Sequence, residues 1–392
     1  MDKLKERIKQ ADWWEITYLI IYGSVFTFEF LNTTMFEIKW PPRFGYIFLA
    51  STALYTIAKF IWHNTYTKKE MIWAGIILFA FLMPALLTEY RFLWYTGFLI
   101  VSAKDVEFDK ILKVYLVIGI TIMVAAFGAS QMGWVENLVY AVWRDDLLVY
   151  RNSYGIVYPT DFAAHVFYLA IAGVCIIKNK LTYGVIINFV VLAAFVLDKC
   201  DARTSSICLL IMAGFLLFIK LLKPQLKWKL GYYVLNAATI GFASMYLVLT
   251  HIYEATKDWL VQLNDLLSNR LAITNKAVSL YDYQMFGQNI TEKGFGRGTQ
   301  FLGEYFFLDD SYIRIALMYG VVLLVVVLIM FWNNGVNAIK NKQIIILCAI
   351  AVIGLHSFME HHILEIAYNP LLCYTFAKCG VDLDKLEVSN VS

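Results

Sequence analysis

Runs of roughly 17 to 24 mostly apolar residues recur along almost the whole chain, and that recurrence leaves few folds open. A lipid environment offers no water to the backbone, so segments of this length have to close their hydrogen bonds internally as helices. Composition agrees: 60% of residues are hydrophobic, only 16% are charged, and the mean hydropathy is +0.62. Soluble domains carry about 25% charged residues. The expected fold class is all-α, a polytopic membrane bundle of about 12 transmembrane helices with one long extracytoplasmic loop. Residues 1–392 form a single integral membrane domain in this reading, and 251–312 is its only long polar interval.

The spans are expected near 14–31, 45–63, 71–89, 91–103, 112–128, 161–178, 181–198, 204–222, 229–250, 312–332, 342–359 and 363–378. Lys3, Lys5, Arg7 and Lys9 precede the first run, which lacks a small-residue cleavage site, so it is read as a retained span. Lysines then recur at every second connection: Lys68 and Lys69, Lys104 to Lys113, Lys178 and Lys180, Lys220 to Lys229, Lys340 and Lys342. The positive-inside rule therefore puts both termini in the cytoplasm and 251–312 outside it. The tail from Gly380 to Ser392 is short and polar and reads as loosely held. A net charge of +3, dispersed along the chain, is too small to suggest nucleic acid as a partner, and none is expected. The six cysteines form no CxxC pair and sit mostly in apolar runs, which reads as packing, with no disulfide or metal role.

Against this background the charged residues next to apolar runs stand out, because charge is costly there. Arg203 opens a span in the sequence Asp201, Ala202, Arg203, Thr204, Ser205, Ser206. A guanidinium there either snorkels onto Asp201 or Asp198, or clamps an anion with help from the hydroxyls that follow it. Arg270 lies in the long loop, followed by the glycine run Gly294, Gly296 and Gly298 around Arg297, where backbone amides can approach a ligand closely. Arg151 leads into the span that carries Asp161 and His165, four residues apart and so on one helical face. That pair is either structural or suited to proton handling and sugar binding.

Asp309, Asp310 and Tyr312 stand at the entry of the tenth span, and Glu360, His361 and His362 after the eleventh. Asp310 is either a helix cap or a general base. Glu360 and His361 are candidates to pair with Arg314 or Arg203. His361, His362 and Glu365 invite a zinc reading, but adjacent histidines diverge on a helix and no further ligand is evident, so no metal or other cofactor is expected.

These residues together carry a resemblance. The stretch RNSYGIVYPTDFAAH from Arg151 to His165, DARTS at Asp201, the loop from Arg270 to Leu280, GFGRG, LDDSYI and MEHHILEIAYNPLL resemble, in order and spacing, the O-antigen polymerase and ligase superfamily. Within it the chain is most similar to Wzy-type polymerases of exopolysaccharide and capsule clusters, over roughly 150–378. The resemblance implies a metal-independent, GT-C-like glycosyltransferase that joins undecaprenyl-pyrophosphate-linked repeat units on the outer face of the cell membrane. Arg203 and Arg270 match the arginines that hold the donor pyrophosphate in such families. Where ligases show a His-Asn pair this chain has Asp309, Asp310 and Ser311, leaving Asp310 the first candidate for the base and His165 and His361 the next.

The chemistry is consistent with that implication: fixed guanidiniums stabilise a leaving pyrophosphate without a divalent ion, and a carboxylate or imidazole assists the acceptor hydroxyl. Inversion at the anomeric carbon is the simpler expectation. Arg151, Arg297, Asp161, Glu360 and Tyr312 complete the expected substrate-binding set. Lipid-linked donor and acceptor, membrane lipid and a chain-length regulator protein are the expected partners. The alternatives are a ligase-type glycan transferase, or a flippase for lipid-linked oligosaccharide; the latter would favour an inverted repeat and charge near the midplane.

Overall fold

The computed structural model describes residues 12–41, 43–63, 65–144, 147–178, 180–222, 229–299 and 303–379. Lys3, Lys5, Arg7, Lys9, Lys223, Lys227 and the tail from Gly380 lie outside them. Five helices come first: α1 (Trp13–Asn32), α2 (Gly45–Trp62), α3 (Lys68–Leu87), α4 (Phe92–Ser102) and α5 (Phe108–Gln131). A two-stranded hairpin follows, β1 (Val139–Arg144) and β2 (Leu147–Asn152), antiparallel with Tyr140 opposite Arg151. Then come α6 (Pro159–Ile177), α7 (Tyr183–Cys200), α8 (Arg203–Leu222), α9 (Lys229–Ile252), α10 (Asp258–Leu266), α11 (Arg270–Leu280), α12 (Ser311–Arg314), α13 (Val321–Lys340) and α14 (Ile344–His356).

Among the described residues eight helices are long and apolar enough to cross a membrane: α2, α3, α5, α6, α7, α8, α9 and α13. Large apolar side chains such as Val117 and Val124 of α5 and Ile187 and Val191 of α7 are exposed along them, the arrangement expected when lipid is the solvent. Helix starts follow local chemistry. Thr67 and Glu70 form a reciprocal capping box at α3, Thr182 caps α7, and Pro159 occupies the first turn of α6, where its missing N–H costs nothing.

The twelve expected spans are met in part. α1 is 20 residues long but carries Glu15 and Glu29. The expected spans at 91–103 and 342–359 fold as α4 and α14, with 11 and 13 residues. At 1.5 Å per residue these reach only about 16 and 20 Å, short of a hydrocarbon core of about 30 Å. The tenth span is displaced: α12 runs into a π-helical turn over Ile315–Tyr319, breaks at Gly320, and only then continues as α13. Gly320 has φ 102°, and a Cβ there would lie 2.5 Å from the Met285 carbonyl oxygen, so the loop over 284–288 needs a glycine to dock on it.

The expected span at 363–378 is not a helix but two 3₁₀ turns, His362–Leu364 and Pro370–Thr375. This stretch is buried in protein, where irregular backbone is tolerated once its polar groups are met. Asn369 donates to the Ile363 carbonyl at 2.8 Å and accepts from Leu371 N at 3.1 Å, and Tyr115 donates to the Tyr368 carbonyl at 2.6 Å.

The bundle is polarised. At one end Lys178 pairs with Asp109 (2.5 Å), Lys110 with Glu15 (2.6 Å) and Lys104 with Glu70 (2.7 Å), while Lys220 donates to the Leu181 carbonyl. At the other end lie the start of α6, the α7–α8 turn, the hairpin and the glycine run. All six cysteines are unbridged, five of them buried.

Candidate functional site

The α7–α8 turn is only two residues, Asp201 and Ala202, and Asp201 takes the left-handed conformation that ends α7 (φ 46°). Its carboxylate, 9% exposed, becomes the hub of three arginines. Arg144 Nε lies 3.0 Å from Oδ2, Arg203 Nε 3.5 Å from Oδ1, and Arg151 Nε 4.0 Å from Oδ2. Arg151 also donates to the Cys200 carbonyl at 3.0 Å and lies over the Tyr158 ring. Arg203 remains 51% exposed, so Asp201 holds one edge of its guanidinium and leaves the rest open.

A fourth arginine arrives from the long polar interval. Arg270, at the first position of α11, reaches Asp309 (Nε to Oδ2, 3.3 Å) and Glu360 (Nη2 to Oε1, 3.4 Å). Burial works against its charge, but Asp309 and Glu360 more than offset that and hold its pKa above the ordinary value. Burial also raises the Glu360 pKa, with Arg270 pulling the other way. Arg144, Arg151, Arg203, Arg270, Asp201, Asp309 and Glu360 all line one cavity of about 210 Å³. Four guanidiniums thus face three carboxylates, which leaves the cavity with an excess of positive charge.

A second cavity of about 340 Å³ adjoins the first and shares Tyr158, Thr160, Phe295, Tyr305 and Asp309 with it. Its character is different. Arg297 is its one arginine, against Asp161, Asp309 and Glu365, with His361 and the rings of Phe307 and Tyr368 completing the wall. His362 stands behind it, 1% exposed, with Nδ1 3.2 Å from Glu365 and Nε2 3.6 Å from Asp161. Burial opposes protonation of His362, but Glu365 and Asp161 outweigh it and raise its pKa. Burial and the charge on His362 depress the pKa of His361.

Of the residues singled out from sequence, Arg203, Arg270, Arg151 and Glu360 meet in the first cavity, and Arg297, Asp161 and His361 in the second. Arg297 donates to the Asn32 carbonyl at 2.5 Å. Asp310, His165 and Tyr312 line neither cavity. Asp310 caps α12, accepting from Ile313 N at 2.7 Å, while Oδ2 has no hydrogen-bond partner. Burial raises its pKa to about 7. His165 is stacked between Phe30 (3.9 Å) and Tyr368 (4.0 Å) and bonds Thr33 through Nε2 at 2.8 Å. Tyr312 ties α12 to α14 by donating to the Gly354 carbonyl at 2.6 Å. Arg314 does not reach Glu360: it is held by Glu292 at 2.6 Å and 2.9 Å and by the Leu308 carbonyl.

Sequence reasoning missed Arg144, because it gave no weight to the hairpin. The run Val139 to Arg144 is apolar up to its last residue, so no apolar–polar alternation marks it as a strand; its period-two burial appears only in the fold. As for metals, Glu360, His361 and His362 each offer a ligand atom within 4.8 Å of the others. Glu360 is already engaged by Arg270.

Fold and site together define a multi-pass helical membrane protein with paired cavities, one basic and one acidic and aromatic, at one end of its bundle. Compared with protein-family models, with curated proteins and with solved structures, the chain matches none.

Proposed function

We propose that this chain is a membrane glycosyltransferase, a polysaccharide polymerase that joins undecaprenyl-pyrophosphate-linked repeat units on the outer face of the cell membrane. The observation that carries the reading is the convergence of Arg144, Arg151, Arg203 and Arg270 on one cavity whose carboxylates do not balance them. Guanidinium forks match phosphate oxygens, and fixed cations in a partly dry site stabilise the charge that develops on a departing pyrophosphate. Arginine supplies this without a divalent ion, in keeping with a metal-independent, inverting transfer. The cavity lies at helix ends, where a lipid-linked headgroup would sit. A carrier for such lipids would need charge nearer the midplane, so transport is the weaker reading.

The reaction would proceed by attack of an acceptor hydroxyl on the donor's anomeric carbon: the new C–O bond forms as the bond to pyrophosphate breaks, the electron pair leaves with the pyrophosphate, and the hydroxyl proton passes to His361, which lines the adjoining cavity. Lysines at the opposite end of the bundle support a cytoplasmic assignment for that end.

The test uses Arg203→Ala and Arg270→Ala. Both are expected to abolish polymer in cells while protein levels stay near normal. Each is expected to weaken binding of inorganic pyrophosphate to the detergent-purified chain by roughly 10- to 100-fold, the worth of one charge-assisted contact. Lys68→Ala, at the far end, should change neither. Full-length polymer from the Arg203 variant, whose guanidinium is half exposed, would overturn the reading.

A further inference from the structure

The hairpin that carries Arg144 and Arg151 has a second face, which the arginine cavity does not use. Residues directly opposite each other in an antiparallel pair share a face. Tyr140 with Arg151, Val142 with Val149 and Arg144 with Leu147 make up one side, which turns its guanidiniums toward Asp201 and the cavity. The other side is formed by Val139, Ala141 and Trp143 of β1 with Tyr150 and Leu148 of β2. All of these are exposed, Trp143 by 70% and Tyr150 by 58%, and none carries a charge. An exposed face of this kind, apolar and aromatic throughout, marks a surface that something covers.

Two observations say what the cover is. The first is depth. Arg151 donates to the Cys200 carbonyl at 3.0 Å and Asn152 to the Lys199 carbonyl at 3.2 Å, so β2 is tied to the last residues of the spanning helix α7. Asp198 and Lys199 form an exposed ion pair there at 2.8 Å, which marks the level where that span gives way to a polar region. The hairpin therefore lies at the membrane–water boundary. The second observation is continuity. The spanning helix α5 exposes Val117, Ile120, Val124 and Phe127, and the exposed Met132 and Trp134 follow its end, leading the chain into β1. The lipid-facing series of α5 thus runs on in sequence to the outer face of the hairpin. Trp and Tyr are also the side chains that favour this level, with an apolar body and a polar tip. Asp145 and Asp146, which join the strands in sequence, make insertion of the hairpin into hydrocarbon tip-first costly, so the strands lie along the surface.

We infer that the outer face of the hairpin docks on the phospholipid of the adjoining leaflet, with Trp143 and Tyr150 as its anchors. The inference does not depend on the reaction proposed above. Its consequence for the molecule is positional: Arg144 and Arg151 stand on the opposite face of the same two strands, so lipid docking holds both guanidiniums at headgroup depth. The basic cavity then opens at the level where the phosphates of a bilayer lie.

The test introduces Trp143→Cys or Tyr150→Cys into a Cys379→Ala chain, the other native cysteines being buried. Each is labelled with an environment-sensitive fluorophore and reconstituted in phosphatidylcholine vesicles. Val124→Cys on α5 is the lipid control, and Glu304→Cys, exposed in the polar interval, is the aqueous one. The expected result at Trp143 and Tyr150 is a blue-shifted emission, quenched by lipid spin-labelled at its headgroup and shielded from aqueous iodide, with the opposite behaviour at Glu304. A second measurement leaves the face unlabelled: in vesicles of lipid brominated near the headgroup, Trp143→Phe should lose part of the tryptophan quenching that the wild type shows. Iodide access at Trp143 and Tyr150 equal to that at Glu304 would overturn the inference, as would unchanged bromine quenching in Trp143→Phe. Shielding that vanishes as the chain is diluted in lipid would assign the face to a second copy instead. Shielding from iodide with no quenching by spin-labelled lipid would assign it to protein, and either result would overturn lipid docking.

Discussion

Asp310 offers the sharpest single substitution, because the two roles open to it diverge under one change. It is completely buried, its Oδ1 caps α12, and its Oδ2 meets no donor. Burial moves its pKa from 3.8 to about 7. A carboxyl whose folded pKa is raised binds protons better in the native state than in the unfolded one, so it favours folding most at low pH. That contribution is lost as pH rises from about 4 through about 7. Three pKa units at 1.36 kcal/mol each give about 4 kcal/mol across that window. Asn caps a helix as well as Asp does, but it places a second N–H where no acceptor waits, costing about 1 to 2 kcal/mol.

Asp310→Asn should therefore be slightly less stable than the wild type at pH 4 to 5 and more stable at pH 8. The difference between the two chains should swing by about 4 kcal/mol, while every other titrating group cancels. The assay is unfolding of both chains in the same detergent across that pH range. Parallel curves for the two chains would refute the assignment of a buried cap whose pKa is raised to about 7. The same variant examines catalysis: as a general base Asp310 would be worth roughly 10²- to 10⁴-fold in turnover. Its place outside both cavities leads us to expect polymer near the wild-type level.

Two further outcomes follow from the geometry. His362, with its pKa raised by Glu365 and Asp161, contributes stability that is fully present below its ordinary range near pH 6.5 and lost as pH rises through the higher folded value. His362→Gln should then be most destabilising at pH 5 to 6 and least at pH 9, which thermal unfolding would read; a penalty independent of pH would count against the charged imidazole. Single cysteines at Asn289, at the arginine end, and at Asn341, at the lysine end, should react differently in intact cells. An impermeant reagent should label only the first, and the reverse pattern would invert the topology.

What the chain's residues determine by themselves is what a local signal can carry. Most apolar runs of span length specify helix as their conformation, because lipid cannot satisfy the backbone, and the eight long apolar helices agree with this. Helix-end chemistry is local too, so Pro159 opening α6 and Asp310 as an N-cap could be read directly. A hydropathy window, however, averages over the break at Gly320 and cannot tell apolar residues facing lipid from those facing protein. For that reason 363–378 looked like a span and folds as 3₁₀ turns wrapped by other helices. Arg203, Arg270 and Asp161 were legible as costly polar residues beside apolar runs, as was the Asp201 carboxylate two residues from Arg203; the distant partners were not. Arg144 meets Asp201 across 57 residues and Arg270 meets Glu360 across 90, contacts that exist only once helices and hairpin have packed. Charge placement is written residue by residue, but which charges balance, and so which cavity keeps a surplus of positive charge, depends on distances of a few ångströms between distant segments. Coulomb energy falls with those distances, and only the tertiary structure decides them.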